Sequence, residues 1–423
     1  MKRRIALVTP LLLVMLGMGS LAAVPAKPRP EGDWRAFGRD PGAQRFSPLT
    51  QITPANVATL RPAWAYDTGV LDLQVTPIVV DGVMYFTGGS TVFALEPETG
   101  KEIWTHATSG VVSRRGVAYW PGDAGTRPRL FSGAGDGRMM ALDARTGALV
   151  TEFGKNGYVD LKESVRGDAD GQFKLITPPI VYKNIVITGG ANEEGEPSLG
   201  LYGDIRGWDA HNGKLLWSFH TVPRPGEPGI ETWEGESWKS RSGTNAWSFL
   251  TVDTERGIVF APTGSPTSDF YGADRKGQNL YGNSLIALDA NTGALKWFQQ
   301  LVHHDIWDWD LPAAPTLIDV TRNGRTIPAV AQMTKMSMLF IFDRVTGAPI
   351  FGIEERPVPQ TDMPGEATWP TQPFPVLPPP LARTTFDPAK DFYTLTPEHA
   401  AYCKDLWTKN QMYTKGMFTP PGL

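Results

Sequence analysis

The chain has 423 residues, with 40 Lys and Arg against 44 Asp and Glu, a formal net charge of −4, and 41% hydrophobic residues. That length and apolar content suffice for a large core, and the charge balance gives no reason to expect nucleic acid as a partner. Cys403 is the single cysteine, so an intrachain disulfide is excluded.

Lys2, Arg3 and Arg4 precede an apolar run from Ile5 to Met18 and small residues from Gly19 to Ala26. This is the layout of a secretory signal peptide over residues 1–26, with cleavage expected between Ala22 and Ala26. The run is shorter than the ~20 residues a spanning helix needs, so a membrane anchor is the weaker reading. Residues 33–60 read as a polar, turn-rich entry with a short helical stretch near Pro54–Leu60. From Trp64 a strand pattern takes over, and TPIVVDGVMYFT at 76–87 predicts a hairpin across Asp81-Gly82.

A motif then recurs, hydrophobic–Ala–hydrophobic–Asp–x–x–Thr–Gly with small variations. It reads VFALEPETGKEIW at 92–104, MMALDARTGALV at 139–150, RGWDAHNGKLLW at 206–217, LIALDANTGALKW at 285–297 and LFIFDRVTGAPIF at 339–351. Each copy predicts a strand, a tight turn and a second strand. The Asp bonds backbone amides, the Gly accepts a positive φ, and the following aromatic docks on a neighbouring unit. The 45 Gly, 37 Pro and 14 Trp, without a long 3.6-residue period, agree with short strands and many turns. The turn glycines, at 100, 147, 213, 293 and 347, are spaced near or above the ~40–50 residues of a four-stranded propeller blade. The expected fold is therefore an all-β propeller with about five recognisable blade repeats. From Gly352 to Leu423 the pattern stops. WPTQPFPVLPPPL at 369–381 reads as an extended Pro-rich connection and Thr396–Leu406 as a short helix.

These repeats, with RGVAYW at 115–120 and HHDIWDWD at 303–310, resemble the pyrroloquinoline quinone (PQQ) dehydrogenases, eight-bladed propellers that oxidise alcohols or sugars in the periplasm. HHDIWDWDLPAAPTL at 303–317, TKMSMLFIFDRVTG at 334–347, and EERPVPQ with PTQPF within 354–374 are similar to the glucose and quinate branch. The similarity runs from about Asp33 to Leu423. In that family the propeller continues well past the FTPP segment. The resemblance thus implies a partial eight-bladed quinoprotein propeller over 33–423, with 352–423 a Pro-rich irregular segment. A second chain is one source for the missing blades.

A quinone that accepts hydride needs a base for the substrate hydroxyl, a cation at its carbonyl, flat walls, and positive charge for its carboxylates. The resemblance implies that Asp308 is the base. A carboxylate between Trp307 and Trp309 is partly desolvated, which raises its proton affinity; the plain alternative is a turn-capping Asp. Asp310 shares its face if the segment is extended, and reads either as a further metal ligand or as a structural acceptor. Lys335 matches the family lysine at the cofactor, where a cation steadies the reduced oxygen. Trp247, in GTNAWSFLTVD, matches the tryptophan under the planar cofactor. Arg115 matches the partner of a cofactor carboxylate, with Arg114 competing, and Thr177, in ITPPIV, stands where the family offers a hydroxyl.

For the Ca²⁺ or Mg²⁺ that the resemblance implies, oxygen ligands are wanted. Glu193 and Glu194, with Asn192 beside them, fall where the glucose branch places its ligands; a solvated acidic loop is the alternative. Ser265 replaces the ligand Asn of alcohol-oxidising members. Val111–Ser113 occupies the region where that branch has adjacent cysteines, which disfavours an alcohol-branch assignment. Adjacent His303 and His304 on a strand would face opposite ways, and with no Cys or third His nearby they do not make a transition-metal site. No CxxCH haem motif is present, so electrons are expected to leave to membrane quinone or a cytochrome. The expected function is a periplasmic PQQ-dependent dehydrogenase acting on a sugar or polyol. The rival readings are a non-catalytic propeller scaffold or an inactive remnant.

Overall fold

The computed structural model describes residues 32–165, 171–192, 199–392 and 395–422. The expected leader at 1–26 lies outside them. β1 (Ile78–Val80) and β2 (Val83–Gly88) form the predicted hairpin, turning at Asp81 (φ 50°) and Gly82 (φ 80°), the two left-handed positions of a type I′ turn. β3 (Thr91–Leu95) and β4 (Glu102–Ala107) complete a four-stranded antiparallel sheet in chain order. The same order recurs in β5 (Ala118–Trp120) through β8 (Tyr158–Asp160), β9 (Ile180–Tyr182) through β12 (Leu215–Phe219), and β13 (Thr251–Asp253) through β16 (Leu295–Gln300). The fifth unit has three strands: β17 (Thr316–Arg322), β18 (Arg325–Met333) and β19 (Leu339–Asp343).

The turn chemistry is as read. The five motif glycines have φ between 71° and 73°, a region that β-carbons disfavour. Asp289 Oδ1 accepts the amides of Asn291 (2.9 Å) and Thr292 (3.2 Å), and Asp343 Oδ1 those of Val345 (2.8 Å) and Thr346 (2.9 Å). In three units the aromatic that follows the turn covers the turn of a later unit. Trp104 lies on Gly147, Trp217 on Gly293 and Trp297 on Gly347, where an added Cβ at 347 would stand 2.6 Å from the indole. Trp104 and Trp297 also donate Nε1–H to the carbonyls of Ala144 and Arg344, each at 3.2 Å. The second unit carries Val150 in place of the aromatic, and Phe153 and Val159 cover Gly213 instead.

These contacts stack the sheets around an axis, with the first strands β5, β9, β13 and β17 touching in succession. The entry segment runs along these inner strands. Trp34 pairs with Val79, Pro41 accepts the Val252 amide (2.8 Å), and Gly42 accepts that of Leu317 (2.9 Å). With Tyr119, Tyr182 and Phe249 it encloses a cavity of about 420 Å³.

The reading of 352–423 as irregular needs correction. β20 (Ile353–Pro357) and β21 (Thr371–Pro375) form a sixth, two-stranded antiparallel sheet. Prolines hid it. Pro373 and Pro375 sit two residues apart on one edge of β21, while Val376, on the opposite parity, donates to Gly352 O (3.1 Å). Prolines on the outer edge cost the ladder no bond. The expected helix is α1 (Pro397–Lys409), started by Thr396, whose hydroxyl accepts the His399 amide at 3.2 Å, with Pro at its first turn.

Candidate active site

Most residues of the candidate site stand in segments that lead into a first strand: Arg115 before β5, Thr177 before β9, Trp247 before β13, and Asp308 and Asp310 before β17. Inner strands that ring an axis bring their entry loops together, so residues far apart in sequence converge. Lys335 joins them from the turn between β18 and β19.

Arg115 Nη1 donates to the Thr177 hydroxyl at 3.1 Å, which donates to the Trp247 carbonyl at 2.7 Å. The Arg115 guanidinium also lies 5.3 Å from the centroid of the Trp247 ring, a cation–π distance. The Trp247 indole donates to Asp310 Oδ2 at 3.0 Å. Lys335 Nζ donates to Asp308 Oδ1 (2.9 Å) and to its carbonyl (2.8 Å), and approaches Asp310 Oδ2 at 3.5 Å. One chain of contacts therefore joins the five cofactor and catalytic candidates through Asp310. Thr177 acts here as a bridge between Arg115 and Trp247. Asp310 acts as an acceptor, since its Oδ1 also takes the Ser265 amide at 2.6 Å.

Burial pushes the Asp308 carboxyl up and the Asp310 charge adds to this, while Lys335 opposes it only in part. Lys335 is pushed down by burial, but the Asp310 and Asp308 carboxylates outweigh that and hold its ammonium above the ordinary value. Burial lowers the Arg115 guanidinium and neighbouring Arg114 lowers it further. A carboxyl that holds its proton more tightly than usual is, when ionised, a stronger base than an ordinary carboxylate.

Glu193 and Glu194 lie outside the described residues. His303 and His304 are not on a strand. His303 meets Gln300 and Glu355, whereas His304 meets Gly277, Asn279 and Glu366. Sequence reasoning missed Asp305, Thr244 and Asn245. Asp305 stood inside the HHDIWDWD segment, and Thr244 and Asn245 immediately precede Ala246-Trp247, so proximity to chosen residues was the only available signal.

Residues 34–423 match the family model described as PQQ, glucose/ethanol/alcohol dehydrogenase, β-propeller domain. The chain belongs to this family. It is 34% identical over 421 residues to the glycerol dehydrogenase large subunit of Gluconobacter oxydans (strain 621H), covering 93% of this chain and 55% of that protein. It is 33% identical to the quinoprotein glucose dehydrogenase of Escherichia coli (strain K12), over 96% of this chain and 54% of that one. Among solved structures, the quinohemoprotein alcohol dehydrogenase from Comamonas testosteroni is similar with a TM-score of 0.67 and 30% identity, covering 82% of this chain and 52% of that one. The chain thus spans about half the length of the relatives it matches.

The residues present fit a flat, anionic quinone with a hard cation. Trp247 offers an indole and Arg115 a charge beside it. Among the described residues, buried polar atoms without a hydrogen-bond partner lie nearby: Thr244 Oγ1, Asn245 Nδ2 and Asn192 Oδ1, whose own Nδ2 donates to Gly243 O at 3.3 Å. Gly264 leaves a cradle open: a Cβ there would stand 2.6 Å from Asp310 Oδ1 and 3.1 Å from Asn245 Oδ1. Convergent amide and carboxylate oxygens are the donor set that Ca²⁺ or Mg²⁺ prefers. Among the described residues, no three His, Cys, Asp or Glu are placed to hold a metal, so a cation here would draw on amide oxygens as well.

Proposed function

We propose that this chain is the quinone-binding part of a PQQ-dependent dehydrogenase that oxidises a sugar or polyol hydroxyl. The observation that carries the reading is the half-buried Asp308 carboxylate, 2.9 Å from Lys335 Nζ and linked through Asp310 to the Trp247–Thr177–Arg115 chain. When bound, PQQ supplies a two-electron acceptor for the hydride of the carbinol carbon. Asp308 takes the hydroxyl proton at its carboxylate. Lys335 holds a positive charge at Nζ where negative charge develops. Trp247 provides a flat wall, and Arg115 pairs with a cofactor carboxylate. Asn245 and Asp310, with Asn192, would present oxygens to Ca²⁺ or Mg²⁺.

The polar substrate class is supported by the glycerol and glucose dehydrogenases among the relatives. Periplasmic location is supported by the leader-like residues 1–26, and membrane quinone or a cytochrome is the acceptor class this implies. A second chain is one proposed source of further blades, the present chain spanning about half the length of these relatives.

The test is a PQQ titration with Ca²⁺ or Mg²⁺, following Trp fluorescence, on the full chain and on Trp247→Ala. Saturable quenching that needs the cation and weakens at least tenfold in the variant is expected, about 1.4 kcal/mol of lost stacking. No quenching, with or without added C-terminal blades, would leave the scaffold reading.

A further inference from the structure

Asp308 is not glycine, yet its backbone lies at φ 58°. Left-handed residues with a β-carbon need something to hold them there. Lys335 grips the side chain and the carbonyl, but it reaches in from another strand pair on a flexible stem. The amides on either side of Asp308 are held by one buried carboxylate three residues back. Asp305 Oδ1 accepts the Trp307 amide at 2.9 Å, and its Oδ2 accepts the Trp309 amide at 2.7 Å. Two flanking amides tied to one planar group leave the 305–309 turn little freedom.

The clamp is itself seated. Asp305 Oδ2 accepts the Ser265 hydroxyl and, at 2.8 Å, Asn283 Nδ2, while Arg275 Nη2 donates to the Asp305 carbonyl at 2.6 Å. Arg275 is fixed in turn by Ser268 O (2.9 Å) and Asn279 Oδ1 (3.0 Å). Asp305, Ser265, Asn283 and Arg275 are all buried. All three supports lie between β14 (Ile258–Pro262) and β15 (Ser284–Asp289) or at the start of β15, in the fourth sheet, whereas Lys335 belongs to the fifth. The position of Asp308 between the two sheets is therefore set from the fourth.

We propose that Asp305 is a positioning residue for Asp308. Its carboxylate, seated on Ser265 and Asn283, holds the amides on both sides of Asp308 and thereby sets the Asp308–Lys335 separation. The proposal rests on the reading of Asp308 as the base. Ser265, where an Asn ligand would stand in alcohol-oxidising members, serves the clamp.

The test compares the full chain with Asp305→Asn and Ser265→Ala. An Asn at 305 keeps the shape and one acceptor but turns a second N–H towards an amide that needs an acceptor. In the folded variant, Lys335 is expected to react about threefold faster with an acylating reagent, followed by mass spectrometry, because the ion pair that shields it has loosened. PQQ affinity by Trp fluorescence stays unchanged, and any dehydrogenase turnover loses kcat with KM held. A folded Asp305→Asn protein with unaltered Lys335 reactivity would overturn the proposal and leave Asp305 a structural residue. If that variant does not fold, Ser265→Ala decides: a smaller change in the same direction supports the clamp, and none overturns it. Asp308→Asn separates the two readings. Full turnover in that variant would sink Asp308 as the base, whatever Asp305→Asn does to Lys335.

Discussion

Trp297→Ala is the sharpest test of how this fold is held together. The indole is 8% exposed. It packs beside Phe260 and Phe342, with ring centroids 5.7 and 6.1 Å away. It covers the Gly347 turn so closely that a Cβ there would lie 2.6 Å from it, and it donates to Arg344 O at 3.2 Å. Truncating a buried aromatic to Ala costs about 3–5 kcal/mol, which already includes the cavity left behind. The unpaired Arg344 carbonyl adds about 1 kcal/mol where water cannot reach it. The expected loss is thus about 4–6 kcal/mol, a large share of the ~5–15 kcal/mol available to a domain. Trp297→Phe keeps the ring over the turn and drops the hydrogen bond, so about 1–2 kcal/mol is expected. Urea denaturation followed by far-UV circular dichroism gives both values. A loss below about 1 kcal/mol in Trp297→Ala, or equal losses in the two variants, would refute the claim that the indole-on-turn contact couples the fourth sheet to the fifth. The same contact carries a functional corollary. Trp247 enters the fourth sheet and Lys335 belongs to the fifth, so slack between them loosens the Trp247–Asp310–Lys335 chain.

Two further outcomes concern titration. The folded state raises the Asp308 proton affinity, mainly through burial, so its contribution to stability is present below the ordinary carboxylate range and is lost as pH rises through the raised value. Asp308→Asn, which mimics the neutral acid, should lose dehydrogenase turnover while melting no lower than the parent at pH 7; a clear drop in melting temperature there would contradict the sign. The gain is small, because a third of the side chain is open to solvent screening. Glu366 behaves oppositely. Burial pushes its carboxyl up, but the His304 ring at 3.0 Å and the amides of Gly272 and Ala367 outweigh that and hold it below its ordinary 4.5. Its contribution is present above the ordinary glutamate range and is lost as pH falls through the lowered value. Glu366→Gln should cost about 1–3 kcal/mol at pH 7, as weakening buried hydrogen bonds to a carboxylate does, and the gap to the parent should close on acidification; a gap that persists at low pH would assign the loss to packing.

Much of the architecture is local and so was legible in the sequence. An Asp that bonds amides two and three residues ahead, a glycine at positive φ and an aromatic a few residues later act within one short segment, and the five turns appear where the motif stands. The β20–β21 pair was not legible, because alternate prolines look like a broken strand until a partner shows that they line the free edge. Tertiary structure alone decided the site. Arg115, Thr177, Trp247, Asp308 and Lys335 are spread over more than two hundred residues, and only the packing of successive first strands brings their loops together. Their selection from sequence came from family resemblance, since hydrogen bonds between entry loops leave no periodic trace. Asp305 shows the limit most clearly. In sequence it is one more Asp in an aspartate-rich segment; burial and the amides of Trp307 and Trp309 give it a role, and both depend on how the chain closes around it.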